Sequence, residues 1–433
     1  MAEKIKLGLT RNRLFEFDNC VSFCGKINGT FDIEECEKAL KMLWLKEPLL
    51  SGVVELENDG KANVVLNSAS PFLEITQLDS QAYIFKKKSD GVDFTKNLFS
   101  FAIAENDTLC ICAHTVVADT RSLLYLAGQF MSFYNKESVS VEPSQVEIIS
   151  DASDMPSNAF SVVIDRLASG LEVGWQKKPT TFDVADYKKA AVKYLENKSP
   201  VGVIERAVSQ ELIDDLKAFA QKENADVSSL VAFAFYESLC ATLGGRRKYR
   251  KFNVQSNSRV FFDNGNAMNV GAFNSFFAVA KKKDKKMPDT LSNNAVNFHK
   301  EIYKKATGAF SSFYNEFLFM RLPESFADSQ YMYCAGEFKH KYSKKLAETY
   351  GCANQVVGEF CSVNLNQQFW AGLNPFEEIV VSEPLKMRST TIVNFVQNTK
   401  YNVLFFEYKK DKLSDSVALE VVENSIKILE KLK

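Results

Sequence analysis

The chain has 433 residues, of which 46% are hydrophobic and 25% are charged, a composition typical of soluble globular proteins. Its 53 basic and 54 acidic residues give a net charge of -1, so no overall positive field favours nucleic acid as a partner. No stretch approaches the roughly 18 apolar residues of a membrane span, and the charged N-terminus does not fit a signal peptide. The 9 cysteines are an odd number, which with these features predicts reduced thiols and a cytoplasmic location.

The first third of the chain alternates between strand and helix patterns. Asp32 and Glu35 form a capping pattern at the start of an apolar repeat, which predicts a helix. Residues 53–66 and 99–114 alternate around central turn residues, which predicts two hairpins. Helical spacing then resumes over 122–134, so a loop joins the second hairpin to this helix.

The pattern weakens between residues 135 and 178, and we place a domain boundary there. The boundary divides the chain into an N-terminal lobe, residues 1–175, and a C-terminal lobe, residues 176–433, as expected for a chain of this length. The second lobe begins with helices, the first of them at Ser209, and ends with a helix over 414–432. Its strand-like segments are 252–254, 273–280, 379–381, 391–395 and 403–408. This mixture predicts an α+β fold of two lobes.

The loop after the second hairpin carries the most informative residues of the chain. The run Cys112-Ala113-His114-Thr115 ends the strand, and Asp119 and Ser122 follow at the start of the helix. This segment resembles the His-His-x-x-x-Asp-Gly-x-Ser signature of the condensation domains of nonribosomal peptide synthetases and of the related CoA-dependent acyltransferases. The resemblance places Thr115 where the family has its catalytic histidine, while His114, Asp119 and Ser122 stay in register.

Three further segments resemble the same family, in the right order. The helix end at 43–50 is similar to its Arg-His-x-x-Leu-Arg segment, and residues 94–101 are loosely similar to Phe-Asp-Leu-x-x-x-Pro-Leu-x-Arg. Arg259, followed by 269–275, is close to the family's Arg and its Ile-Gly-Pro-Phe-x-Asn-Thr segment. The resemblance therefore covers most of the chain.

The resemblance implies two lobes similar to chloramphenicol acetyltransferase, set in a V with a tunnel between them. It implies a thioester donor, either CoA or the phosphopantetheine arm of an acyl or peptidyl carrier protein, and a small-molecule amine or alcohol as acceptor. The thioester is a substrate, and no permanently bound cofactor is expected.

Three departures from the family pattern bear on this chemistry. Thr115 cannot accept a proton at pH 7 as an imidazole can, and loss of a general base costs on the order of 10²- to 10⁴-fold in rate. The family's motif Asp pairs with the last Arg of the Arg-His-x-x-Leu-Arg segment; that position is Ser51 here, so we expect the ion pair to be missing. The Gly after the motif Asp is Thr120, which loses easy access to positive φ.

Several residues of the loop could carry the remaining chemistry. His114 could act as the base, or it could be a structural histidine hydrogen-bonded inside the loop, since neighbouring strand residues point to opposite faces. Asp119 as the base and Thr115 as an acyl-accepting nucleophile are further alternatives. The catalytic candidates are thus His114, Thr115 and Asp119, and the substrate-binding candidates are Ser122, Arg259, Gly271 and Asn274.

A group of possible metal ligands, two basic runs and the absence of other enzyme motifs also bear on the function. Cys110, Cys112 and His114 share one face of a strand, but the outer two are about 13 Å apart, too far for one tetrahedral ion, so no metal site is expected. The basic runs 246–251 and 281–286 could receive an acidic carrier protein or CoA phosphates, or they could be solvated loops. Hydrolase, NTPase and dinucleotide motifs do not occur in the sequence.

Two functions remain open. The first is an acyltransferase that moves an acyl group from a CoA or carrier-protein thioester to an amine or alcohol, with Thr115 in the base position. The second is a catalytically inactive condensation-like protein that binds a carrier protein or a thioester intermediate. The four similar segments favour the first function, and the three departures favour the second.

Overall fold

The computed structural model describes residues 3–137, 140–146, 148–150, 161–243, 251–262, 270–281, 288–366 and 368–432. Asn269 of the motif segment and most of the two basic runs, residues 246–250 and 282–286, lie outside the described residues. Within the described ranges the chain forms α-helices and strands in three sheets.

The strands are β1 Lys4–Lys6, β2 Cys20–Ile27, β3 Val53–Leu56, β4 Ala62–Val65, β5 Leu73–Thr76, β6 Phe99–Ala104, β7 Thr108–His114, β8 Val201–Ala207, β9 Phe252–Asn257, β10 Asn274–Val279, β11 Gly358–Asn364, β12 Phe376–Ser382, β13 Thr391–Gln397 and β14 Asn402–Lys409. The helices are α1 Ile33–Lys46, α2 Ser80–Asp90, α3 Thr120–Tyr134, α4 Val162–Trp175, α5 Val184–Glu196, α6 Gln210–Glu223, α7 Val227–Leu243, α8 Leu291–Ala306, α9 Ala309–Ser312, α10 Tyr314–Met320, α11 Glu324–Cys334, α12 Lys341–Thr349 and α13 Asp415–Glu430.

A five-stranded sheet carries the motif loop, in the order β12, β2, β7, β6, β5. Its β6–β7 pair is the second predicted hairpin, and β3 with β4 is the first. The predicted helix α1 begins behind Asp32, whose carboxylate accepts the backbone N–H of Glu35. The structure confirms these predicted elements. Each of them has a local sequence signal, namely a cap, a turn or an alternation of apolar and polar residues.

A six-stranded sheet forms the second lobe, in the order β10, β9, β11, β13, β14, β8. β11 lies parallel to β9 and β13, and the other neighbours are antiparallel. Helices α6, α7 and α13 share a hydrophobic core with this sheet. α7 is buried on almost every side, as its uniformly apolar sequence predicts.

Strand β12 joins the two halves of the chain. It lies late in the sequence, yet it pairs antiparallel with β2 in the first sheet, with Val381 opposite Phe23. The largest core cluster likewise contains residues from both sides of the predicted boundary at 175, which falls at the end of α4. The boundary itself stays a prediction.

In the described part of the segment between β10 and β11, the chain forms five helices, α8 to α12. Among the described residues, no single helix is long and apolar enough to cross a membrane. α6 and α7 meet that criterion only as a pair, and they are bent by 103° where they meet.

Candidate active site

The motif loop runs between the end of β7 and the start of α3. Asp119 is the N-cap of α3, and its Oδ1 accepts the backbone N–H of Ser122 at 2.9 Å. Asp119 N–H in turn faces Ser122 Oγ at 3.5 Å, which completes a capping box. The Asp and Ser of the motif thus fix the entry of the chain into the helix.

The ion pair with position 51 is absent, as predicted, but Asp119 is not left unpaired, because it forms a buried ion pair with Arg259. Arg259 Nη1 donates to Oδ2 at 2.7 Å and Nη2 donates to Oδ1 at 3.0 Å. Burial alone would raise the pKa of Asp119, but the guanidinium and the Ser122 donors outweigh it and hold that pKa below its ordinary value. The partner comes from the second lobe instead of from position 51.

Ser122 and Gly271 join the same network. Ser122 Oγ lies 2.7 Å from the carbonyl oxygen of Gly271, accepts the Gly271 N–H at 3.0 Å and accepts Arg259 Nη2 at 2.9 Å. The N–H of Phe273 donates to Asp119 Oδ2 at 3.0 Å. The structure therefore brings together Asp119, Ser122, Arg259 and Gly271, all through contacts within the protein. Their contact with substrate stays a prediction.

Asn274 lies beside this network and is held by Arg13. Arg13 Nη1 donates to Asn274 Oδ1 at 2.7 Å, and Nη2 donates to the Asn274 carbonyl at 2.6 Å. Arg13 Nη2 also pairs with Glu316 Oε1 at 3.1 Å. Asn274 therefore connects the second lobe to the segment before β2.

His114 is fully buried and points away from solvent, with 0% exposure. Its Nδ1 accepts the backbone N–H of Val116 at 3.0 Å, and its ring packs edge-on against Phe94. Burial lowers the pKa of His114 to about 3, so the ring is neutral near pH 7. This geometry matches the structural alternative for His114 and leaves the ring without access to a substrate in this conformation.

Thr115 contacts a residue that sequence reasoning missed. Its Oγ1 donates to Glu16 Oε2 at 3.4 Å, across 99 positions of sequence. Oε1 of Glu16 accepts Lys386 Nζ at 3.3 Å and Tyr331 Oη at 3.4 Å. The side chain of Glu16 is 15% exposed, so a carboxylate stands beside the position of the family's histidine. No local motif identifies Glu16, because the residues that contact it are distant in sequence.

The structure shows what Ser51 and Thr120, the other two departures from the family pattern, do instead. Ser51 Oγ donates to the Pro48 carbonyl and accepts the N–H of Asn67, so it closes a turn instead of pairing with a charge. Thr120 is the first residue of α3, and its φ is not positive. The loss of access to positive φ at Thr120 therefore has no consequence for this backbone. Its Oγ1 donates to Glu383 Oε1 at 2.5 Å.

Glu16 lines a cavity at the junction of the two lobes, here called the Glu16 cavity. It encloses about 50 Å³, and its walls include Arg13, Asp18, Tyr331 and Lys386. These side chains come from the segment before β2, from α11 and from the chain after β12.

Two larger cavities adjoin the Glu16 cavity. One, of about 350 Å³, shares Phe276, Tyr350 and Arg388 with it and also contains Lys251 and Lys305; we call it the basic cavity. Its described lining includes no acidic side chain, although Arg388 donates to the buried Glu359 at 2.8 Å. The other, of about 370 Å³, has Asp18 in common with the Glu16 cavity. We call it the distal cavity.

The remaining histidines and the cysteines lie in other contacts. His299 Nδ1 pairs with Asp226 at 2.9 Å, and His340 packs edge-on against Trp175. All 9 cysteines are free thiols. Among the described residues, no group of His, Cys, Asp and Glu side chains has metal-binding geometry.

Solved structures similar to this chain include condensation, epimerization and cyclization domains. The epimerization domain from the third module of tyrocidine synthetase B has a TM-score of 0.64 at 13% identity, covering 100% of this chain and 96% of that chain. The condensation domain from Monacolin K polyketide synthase has a TM-score of 0.61 at 10% identity, covering 99% and 97%. The cyclization-docking bidomain of a nonribosomal peptide synthetase from Sorangium cellulosum has a TM-score of 0.60 at 12% identity, covering 99% and 84%.

At these identities the likeness concerns the fold. The chain has the condensation-domain fold, with two lobes similar to chloramphenicol acetyltransferase, and both predictions are confirmed. No protein-family model and no curated protein matches the sequence.

Proposed function

We propose that this protein transfers an acyl group from a thioester to an amine or alcohol acceptor at the motif loop. The observation that carries the proposal is the hydrogen bond between Thr115 Oγ1 and Glu16 Oε2. It places an accessible carboxylate, which faces a cavity at the lobe junction, beside the position where the family has its catalytic base.

The retained scaffold supports this function over a silent one. Two of the three departures in the motif are compensated, since Asp119 has Arg259 as its partner and Thr120 needs no positive φ. A buried, bidentate Arg–carboxylate pair fixes geometry as well as charge. The loop that carries Thr115 is therefore held in place from both lobes.

Two larger cavities share lining residues with the Glu16 cavity, which supports a two-substrate reaction. Acyl transfer needs a donor and an acceptor held together at one point. The basic cavity offers Lys251 for the phosphates of CoA or of a phosphopantetheine arm on a carrier protein. Lys305, whose Nζ donates to the Ala278 carbonyl, adds to the positive charge there. The distal cavity, which shares Asp18, offers a separate approach for the acceptor.

A donor and acceptor panel tests the proposal. The protein is incubated with acyl-CoA and acyl-pantetheine thioesters of several chain lengths, each with a set of amines and alcohols. Mass spectrometry then measures the acylated acceptor, and a thiol reagent measures the released thiol. Product above the protein-free rate supports the proposal, and thiol release without acylated acceptor indicates hydrolysis instead.

Absence of turnover across the panel contradicts the proposal. In that case, titration calorimetry with a non-hydrolysable acyl-pantetheine tests the second function, a binding protein for a carrier or a thioester intermediate. Binding without turnover identifies that function, which retains the fold and lacks the histidine at position 115.

A further inference from the structure

We infer that Glu16 is the catalytic proton acceptor of this protein, in the place that the condensation signature gives to a histidine. The inference rests on the proposed acyl transfer and names the residue that carries it. Three features of Glu16 lead to it: its distance from Thr115, the arrangement of its other partners, and its access to the cavity.

Two donors from the C-terminal part of the chain set the position of the Glu16 carboxylate. Oε1 of Glu16 faces Lys386 Nζ at 3.3 Å and Tyr331 Oη at 3.4 Å. Burial, together with the charge of Glu16, raises the pKa of Tyr331 well above its ordinary value, so its hydroxyl stays a donor at neutral pH. These two donors occupy one oxygen and orient the other.

The second oxygen is directed to the motif loop. Oε2 has Thr115 Oγ1 as its partner among the described residues, at 3.4 Å. A carboxylate oxygen has room for more than one donor, so Oε2 can also accept a hydrogen bond from a substrate in the cavity. Long hydrogen bonds are common in unliganded active sites and shorten when substrate binds.

The competing bases are occupied or enclosed. Both oxygens of Asp119 accept hydrogen bonds from Arg259, with further donors from Ser122 and Phe273. His114 is fully buried and holds Val116 N–H on Nδ1. Glu16 is the carboxylate that contacts the residue in the histidine position and also lines the cavity.

In the proposed step, the acceptor nitrogen attacks the thioester carbonyl carbon and a C–N bond forms. Oε2 of Glu16 takes the proton that the nitrogen loses. The C–S bond then breaks, and the proton passes to the leaving thiolate, which restores the charge of Glu16. A carboxylate suffices for an amine because the nitrogen becomes positively charged as it attacks and then gives up a proton readily. A neutral alcohol requires a stronger base, so amines are the expected acceptors.

Single-turnover transfer by the full chain tests the inference, with the donor and acceptor pair that gives the highest rate in the panel. Glu16→Gln keeps the shape and removes the charge, and it should lower the single-turnover rate by on the order of 10²- to 10⁴-fold, with little change in the donor concentration that gives half the maximal rate. Thr115→Val removes the hydroxyl that orients Oε2 and should lower the rate roughly tenfold. Glu420→Gln, an exposed carboxylate on α13, is the matched control and should retain the wild-type rate.

Thr115→His in the Glu16→Gln background separates a chemical role from a structural one. It places an imidazole in the family's position, and recovery of the rate by at least tenfold supports Glu16 as the missing base. If Glu16→Gln impairs folding, judged by its melting temperature, Glu16→Asp serves instead and should retain a reduced rate, because the charge stays and the reach shortens.

The two proposals fail in different ways. If the wild type transfers acyl groups and Glu16→Gln does so at the same rate, the Glu16 inference is wrong and the proposed function stands. If the wild type gives no product while Thr115→His alone does, both are wrong and the natural protein is silent. If neither gives product, the proposed function is wrong and the inference falls with it.

Discussion

The carboxylate of Asp119 and the guanidinium of Arg259 face each other in two hydrogen bonds of 2.7 and 3.0 Å, although the residues are 140 positions apart. Both side chains are almost completely buried. The pair connects the motif loop of the first lobe to the chain after β9 in the second. The loop geometry therefore depends on both lobes.

Removal of one partner of this pair should destabilise the protein strongly. Arg259→Met leaves the Asp119 carboxylate buried without its partner, and a loss of about 3–5 kcal/mol is expected. Urea unfolding measured for Arg259→Met, Asp119→Asn and the double variant checks this. The double variant should lose less than the sum of the two single losses, because the residues contact each other. Strict additivity would show that the pair is not coupled.

The burial of His114 should make the folding stability depend on pH. Burial lowers the pKa of His114 to about 3 from 6.5. Between these values the unfolded chain binds a proton that the folded protein does not, so the folded state loses stability as pH falls from about 6.5 towards about 3. From pH 7 to pH 5 this contribution amounts to about 2 kcal/mol.

His114→Asn checks that dependence, because an amide oxygen can replace Nδ1 as the acceptor for Val116 N–H. The free energy of unfolding of the wild type and the variant is measured at pH 7 and pH 5. The wild type should lose more stability on acidification than the variant. Equal losses would mean that His114 titrates normally in the folded protein.

Glu383 should change the folding stability with pH in the opposite direction to His114. Burial raises the pKa of its carboxyl, although donors from Thr120 and Gln255 oppose that rise. The folded state then holds a proton that the unfolded chain releases, so stability falls as pH rises from the ordinary carboxyl pKa to the raised one. Glu383→Gln does not titrate, and the difference in unfolding free energy should shift in favour of the variant as pH increases. A constant difference would contradict the raised pKa.

Lys251 should distinguish CoA from shorter donors. It is exposed and lines the basic cavity, so Lys251→Ala should raise KM for acyl-CoA about 2- to 5-fold, the range of an exposed charge pair. Acyl-pantetheine without phosphates should show no change. Lys427→Ala, which removes an exposed lysine on α13, is the control. An equal effect of Lys251→Ala on both donors would place the phosphates elsewhere.

The elements around the motif are predictable because their signals are local. Asp32 caps α1, turn residues set both hairpins, and Asp119 with Ser122 starts α3. Helix α11 has no such local signal. Its Asp328 is buried and pairs with Arg11 at 2.8 Å, so a polar residue occupies a core-facing position and hides the apolar repeat.

The site is harder to predict because its partners meet only in the folded chain. The sequence indicates that Asp119, Ser122, Arg259, Gly271 and Asn274 matter, through their resemblance to family segments. It does not indicate that Arg259 pairs with Asp119 in place of the family's arginine, which is Ser51 here. Arg259 lies in the other lobe, so only the folded chain brings it to Asp119. Glu16 is invisible in the same way, because only the fold brings it to Thr115.

One single-turnover assay that compares Glu16→Gln with His114→Asn decides which of the two residues is the catalytic base. Acylated amine is quantified by mass spectrometry under conditions where both variants are folded. We predict that His114→Asn transfers the acyl group at close to the wild-type rate, while Glu16→Gln loses at least a hundredfold. Full activity of Glu16→Gln together with an inactive His114→Asn would contradict this prediction and identify His114 as the base.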